Sequence, residues 1–145
     1  MLKNIYRFIP VLFVFICVVS CSNLKISKII QNTSVIQIEL YGCKDGHITT
    51  VKTIDITDRN SISQLSECLS NSNAPMYKAG YHGKINLYDQ NNKLLIKDGI
   101  EFNIYPDCKH YIYIINGKLY SKKLSTFGFK YLNSLYNELP LDRKL

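Results

Sequence analysis

Six side chains beyond the N-terminal segment could take part in redox, metal or nucleophilic chemistry: Cys43, Cys68, Cys108, His47, His82 and His110. Cys108 and His110 stand two apart, so on an extended strand they share a face and could offer a metal two ligands. A closed zinc site wants four ligands at short spacings, and the chain has no Cys-x-x-Cys or His-x-x-x-His. No metal and no cofactor is expected on that count. A Cys–His nucleophile pair would need a third, orienting group that the sequence does not suggest. Asp45 and His47 flank a turn and read most simply as solvated, and Tyr81-His82-Gly83 closes a polar loop without defining a reaction. If β-strands and helix alternate in direction, the three thiols gather at one end of the fold. A Cys43–Cys68 disulfide would then close a loop of about 25 residues and contribute roughly 3.5 kcal/mol, with Cys108 as an alternative partner. Three unpaired thiols packed as small hydrophobes are the competing reading.

Other chemistries leave no trace. Gly-x-Gly-x-x-Gly, the P-loop and Gly-x-Ser-x-Gly are all missing, and the 11 acidic residues form no paired-carboxylate signature along the chain. The formal charge of +7 comes from scattered lysines, which suits a solvated surface, or contact with anionic lipid or glycan, better than nucleic acid. At 145 residues, 46% hydrophobic and 20% charged, the chain is one domain's worth of foldable sequence.

The N-terminus is the most informative stretch. Lys3 and Arg7 precede an apolar run from Phe8 to Val19, and the chain turns polar at Ser20, Cys21, Ser22 and Asn23. Such a run is short of the about 20 residues needed to span a bilayer and has the size of a signal-peptide core, an uncleaved anchor being the alternative. Val18-Val19-Ser20-Cys21 resembles the lipobox of bacterial lipoproteins. The resemblance covers residues 1 to about 22. It implies that residues 1–20 are a signal peptide, that Cys21 is lipidated on its sulfur and becomes the new N-terminus, and that several acyl chains give a durable anchor. With serine at position 22, it further implies outer-membrane sorting in a diderm host.

The elements that would carry these residues follow from periodicity. Residues 21–34 read as a lipidated N-terminus and tether, with Ile26, Ile29 and Ile30 keeping open a helical turn. Residues 35–145 read as a single α+β domain. Val35 to Tyr41 alternates as a half-buried strand. Asp45-Gly46 and Asn116-Gly117 are two-residue hairpin signals. Residues 59–70 read as a short helix capped by Thr57 or Asp58. Residues Ser70 to Gly83 read as a long polar connection. Strands are expected at Lys84–Tyr88, from Lys93 with Asp98-Gly99 as a bulge or second turn before Ile100–Tyr105, at Tyr111–Ile115 and at Lys118–Lys122, before a helix from Thr126 to Glu138 that Pro140 ends. The order ββα-ββββ-α predicts an α+β fold with a largely antiparallel sheet of about five or six strands and two short helices.

The last helix places Leu124, Phe127, Tyr131, Leu135 and Leu139 on its core stripe and leaves Phe129 and Tyr136 off it. Tyr111 and Tyr113 share one strand face. These four aromatics are the expected contact surface for a partner. The functional expectation is a membrane-anchored envelope lipoprotein that binds another envelope or incoming protein without catalysis, as an inhibitor, immunity-type protector or assembly accessory. A structural or glycan/lipid-binding envelope domain is the alternative, and a small hydrolytic or redox enzyme comes third.

Overall fold

The computed structural model describes residues 23–77 and 80–145. The expected signal peptide and Cys21 lie outside them. Among the described residues, no helix is long and apolar enough to cross a membrane. The described residues form an α+β fold of three α-helices and one seven-stranded antiparallel sheet.

Strand β1 (Val35–Lys44) buries every second residue, so Ile36, Ile38 and Leu40 point into the core while Gln37 and Glu39 face the other way. Asp45 and Gly46 both adopt positive φ, 52° and 78°, and turn the chain into β2 (His47–Ile56). Two consecutive left-handed residues match the right-handed twist of the strands they join. Asn116 and Gly117 repeat the device, with φ of 53° and 73°, between β6 (His110–Ile115) and β7 (Lys118–Leu124). Both hairpins fall where the Asp-Gly and Asn-Gly dipeptides place them.

Helix α2 (Arg59–Cys68) is capped by Asp58, whose carboxylate accepts from the Ser61 N–H at 2.8 Å. The chain then enters β3 (Leu69–Asn73), β4 (Gly83–Tyr88) and β5 (Ile100–Asn103). The sheet order is β2-β1-β4-β5-β6-β7-β3, so β3 sits at the far edge, against β7. Strand β3 corrects the expected loop over residues 70–83. Its Leu-Ser-Asn-Ser-Asn sequence lacks alternation because an edge strand with exposed side chains has no apolar face to bury. Nor does a strand start at Lys93. Asp89 instead accepts from the Asn91 and Lys93 N–H groups and folds the segment into a turn that pairs with β4 through the isolated Tyr88–Leu94 bridge.

The N-terminal tether is the larger correction. Asn23–Gln31 is a helix, α1, whose Ile26 and Ile30 are buried in the core. Arg59 fastens its end, donating to the Thr33 carbonyl at 2.8 Å and the Gln31 carbonyl at 2.9 Å. Those carbonyls would otherwise be left over at a helix C-terminus.

Helix α3 (Thr126–Asn137), capped by Ser125, is rotated from the expected stripe. Gly128, Leu132 and Tyr136 face inward, and Phe127 is 44% exposed. Gly128 explains the rotation: a Cβ there would lie 2.3 Å from the Cys68 carbonyl oxygen, so only glycine permits α3 to approach the end of α2 this closely. The three helices and the buried faces of β1, β4, β5 and β6 form one core cluster. The opposite face of the sheet carries no described helix.

Candidate functional site

The four aromatics expected to greet a partner do not form a surface. Tyr111 and Tyr113 pair across the sheet with Phe102 and Ile100, on the helix-covered face, and both are buried. The Tyr111 hydroxyl donates to the Ser70 carbonyl at 2.8 Å, and the rings of Tyr111, Tyr113 and Tyr120 stack in sequence, 5.9 and 5.0 Å apart. Burial pushes the Tyr113 hydroxyl up to about 12 and raises that of Tyr111 further. Tyr136 packs edge-on against His82 at 5.1 Å, and its oxygen accepts from the Leu145 N–H. Phe129 is half-buried beneath the Lys109 ammonium, 4.1 Å from the ring centre. Alternation had placed Tyr111 and Tyr113 together correctly, but nothing in one strand says which of its faces the helices will cover.

The cysteines correct a second expectation. Cys43, Cys68 and Cys108 are all free. Cys43 belongs to β1, while the Cys68 carbonyl accepts from the Ser125 N–H just beyond β7. From β1 to β7 is four strand spacings, or about 19 Å, far beyond the ~7 Å between Cα atoms that a disulfide tolerates. The thiols gather at one end of the sheet, as traced, but the sheet's width separates them. Cys68 also sits on the buried face of α2 rather than its flank, because the helix stops there and Leu69 passes into β3. Burial, with the nearby Glu67 carboxylate, pushes its thiol up to about 11. Cys108 lies in the turn before β6, and His110 meets its carbonyl rather than its thiol. Among the described residues no group of three His, Cys, Asp or Glu side chains could hold a metal ion.

The polar chemistry collects on the uncovered face. Glu39 on β1 pairs with Lys84 on β4, and Lys84 pairs with Glu101 on β5, a Glu-Lys-Glu row running straight across three strands. The Asn86 amide donates to one Glu39 oxygen at 2.6 Å, while the Thr50 hydroxyl donates to the other at 3.3 Å, with the Lys84 ammonium 4.0 Å away. Beside the row, the Gln37 amide donates to Asp55 at 3.0 Å. Partial burial raises the pKa of Glu101; Lys84 opposes that shift and Asp98 adds to it. Tyr41 flanks the row from β1, and burial together with Glu101 and Glu39 pushes its hydroxyl up to about 12. Tyr81 is raised in the same way, by burial and then by Glu101.

A crossing segment bounds this row. To travel from β3 at the edge to β4 near the middle, the chain passes over the uncovered side of β7, β6 and β5. The Ala74 N–H donates to the Ser121 carbonyl, and the Ser121 hydroxyl donates to the Pro75 carbonyl. Tyr77 and Tyr81 then lay their rings 4.8 and 5.8 Å from His110. The Asn103 amide donates to the Gly80 carbonyl, and the His82 N–H to the Phe102 carbonyl at 2.9 Å. His82 itself is buried, its Nδ1 accepting from the Ile104 N–H at 3.4 Å, and burial lowers its pKa. His47 stays exposed at the first hairpin. On β6 and β7, Ile114 and Leu119 face each other, both 41% exposed, with Met76 of the crossing segment 60% exposed. The uncovered face thus has an acid-rich zone over β2, β1, β4 and β5, and a small apolar zone over β6 and β7.

Tyr81 entered the sequence reading only as part of the Tyr81-His82-Gly83 loop, and Glu39, Lys84, Asn86, Glu101 and Tyr41 were not singled out as site residues. Their signal was the polar half of each alternating strand. The chain matches no known protein family, and no curated protein or solved structure is significantly similar to it.

Proposed function

We propose that this chain is a lipid-anchored protein of the bacterial cell envelope that acts by binding another protein, as an inhibitor, protector or assembly accessory, through the uncovered face of its sheet. The observation that carries the reading is the acid-rich row on that face. Asp55, Glu39, Glu101 and Asp98 gather near the Lys84 cation in a chain whose formal net charge is +7. A basic chain that places four of its 11 carboxylates together on an open sheet surface is suited to a cationic partner surface, with charge steering the encounter. The buried Cys68 thiol, held far from its reactive thiolate form, supports binding over nucleophilic catalysis. Attachment through Cys21 accounts for the apolar leader and the lipobox-like tetrapeptide.

The test uses the full chain in intact cells. Cross-linking followed by mass spectrometry should recover a partner with a basic contact surface, and Glu39→Lys with Glu101→Lys should reduce its yield by about tenfold or more. An undiminished yield sinks the proposed face. Mass analysis of the cell-derived protein should find acyl groups on Cys21 and no residues before it. A bare sulfur or a retained leader sinks the anchor.

A further inference from the structure

The two edges of the sheet are built differently. Strand β3 forms one of them with five residues, and side chains occupy two of its backbone carbonyls: the Tyr111 hydroxyl donates to Ser70 at 2.8 Å and the Lys122 ammonium to Asn71 at 3.1 Å. Strand β2 forms the other with ten residues, seven of them β-branched and none of them proline or glycine. Its single lysine, Lys52, is drawn to Glu138 at 2.6 Å and does not guard the edge. Ile48 stands 70% exposed. A long open edge strand is a template for another strand, which is why proteins usually blunt such edges. Among the described residues, no strand pairs with the outer side of β2.

The ladder to β1 says which backbone groups of β2 stay open. The Tyr41 N–H donates to the His82 carbonyl, so Tyr41 faces β4, and by alternation Ile36, Ile38, Leu40, Gly42 and Lys44 face β2. Their partners are Ile56, Ile54, Lys52, Thr49 and His47, with Val51 left over as the extra residue of a β-bulge. Ile48, Thr50, Thr53 and Asp55 therefore turn their N–H and C=O groups away from the sheet.

We propose that β2 pairs antiparallel with β2 of a second copy of this chain, about a two-fold axis at Val51 and Lys52. The bulge makes the strand self-complementary, because it moves the outward residues from even positions to odd ones halfway along. Ile48 then lies opposite Asp55 of the second copy, and Thr50 opposite Thr53 of the second copy, each pair occurring twice by symmetry. All four outward residues meet an outward residue, with two backbone hydrogen bonds per pair. Every other antiparallel self-pairing leaves at least two of the four unmatched. The side chains agree as well: the four lie on the uncovered face, opposite Cys43, Gln37, Tyr41 and Glu39, and directly opposed antiparallel residues share a face.

Charge favours the same register. The two Asp55 carboxylates stand at opposite ends of the shared ladder, each beside an uncharged Ile48, and threonine pairs fill the middle. The two Lys52 side chains come near the axis, each neutralised by Glu138 of its own chain. Because both copies use β2 and the β3 edge is short and partly sealed, the assembly closes at two. The product is one continuous sheet with its two acid-rich zones side by side. This inference goes beyond the proposed binding role and stands whether or not the anchor or the cationic partner is as proposed.

The test is amide exchange in the full chain from about 1 µM to about 500 µM, a range that covers weak strand-edge association, with sedimentation on the same samples. As the mass rises to that of a dimer, the N–H groups of Ile48, Thr50, Thr53 and Asp55 should become protected severalfold. Unprotected exchange at those four positions at the highest concentration overturns the proposal, whether or not the chains associate. Two variants of the exposed Ile48 read the register. Facing Asp55 of the second copy, Ile48→Lys should tighten the dimer severalfold and Ile48→Glu should loosen it severalfold. General repulsion between chains of formal charge +7 predicts the reverse order, and that order overturns the pairing. Thr53→Pro deletes one outward N–H, leaves the β1 ladder intact and should abolish the dimer; an undiminished dimer overturns the proposal. Should Thr53→Pro fail to fold, the two Ile48 variants decide.

Discussion

The two faces of the sheet solve the same backbone geometry with opposite chemistry. On the covered face, Ile36, Ile38, Leu40, Ile85, Leu87, Ile100, Phe102 and Tyr111 are completely buried beneath three helices. On the other, the same strands present Gln37, Glu39, Lys84, Asn86 and Glu101, with the Asn86 amide donating across strands to Gln37 and Glu39, and one segment of chain crosses this face. The side-chain period of two lets one strand serve both purposes. Stability resides on the first face, where apolar area leaves water. The second is free to carry charge that folding does not require, and this is where a recognition surface can be altered without unfolding the domain.

The sharpest way to test that division is a pair of truncations. Phe102→Ala removes a wholly buried ring from the covered face and should cost about 3–5 kcal/mol. Ile114→Ala, on the uncovered face and 41% exposed, should cost under about 1 kcal/mol. Urea unfolding of both variants measures the difference. Comparable losses would mean that the uncovered face is packed after all. A second, smaller effect concerns what completes the covered face. Arg59→Ala removes two charge-assisted hydrogen bonds to the end of α1, an expected loss of about 2 kcal/mol. Exchange should quicken first at the Asn32 and Thr33 N–H groups, which close that helix. Unchanged exchange there would show that Ile26 and Ile30 alone hold α1 in place.

Sequence periodicity made one half of this comparison legible. Alternation in Val35–Tyr41 separated Ile36, Ile38 and Leu40 from Gln37 and Glu39, and the Asp-Gly and Asn-Gly dipeptides located both tight hairpins because few other residues tolerate two successive positive φ angles. What periodicity could not supply was adjacency. Glu39, Lys84 and Glu101 are far apart in the chain and meet only because β4 inserts between β1 and β5. The same gap misplaced the disulfide: strand directions put the thiols at one end, but sheet order put Cys43 and Cys68 near opposite edges. The face of α3 was misassigned for a related reason. A hydrophobic stripe on one helix cannot reveal that Gly128 must press against the backbone of Cys68 in another.

The smallest expected effect bears most directly on why the acid row exists. Glu101 has a folded-state pKa above its ordinary value, with burial as the main cause. A carboxylate shifted upward favours folding only while protonated. Its contribution is complete below the unfolded pKa of about 4.3 and is lost as pH rises through the higher folded value. At neutral pH the ionised Glu101 therefore makes the domain less stable than a neutral side chain of the same shape would. Glu101→Gln should raise the melting temperature slightly near neutral pH, and the gain should vanish by about pH 3.5, where the wild-type carboxyl is itself neutral. His82 titrates in the opposite sense and serves as the internal check. Its lowered folded pKa favours folding above the unfolded value of about 6.5, and stability falls as pH drops through that region in the wild type and in Glu101→Gln alike. Paired melting curves across that range measure both. A stabilised Glu101→Gln that no longer cross-links to its partner would mean that the carboxylate is kept, against the interest of the fold, for the surface it creates. A destabilised one would return Glu101 to the ordinary architecture of the sheet.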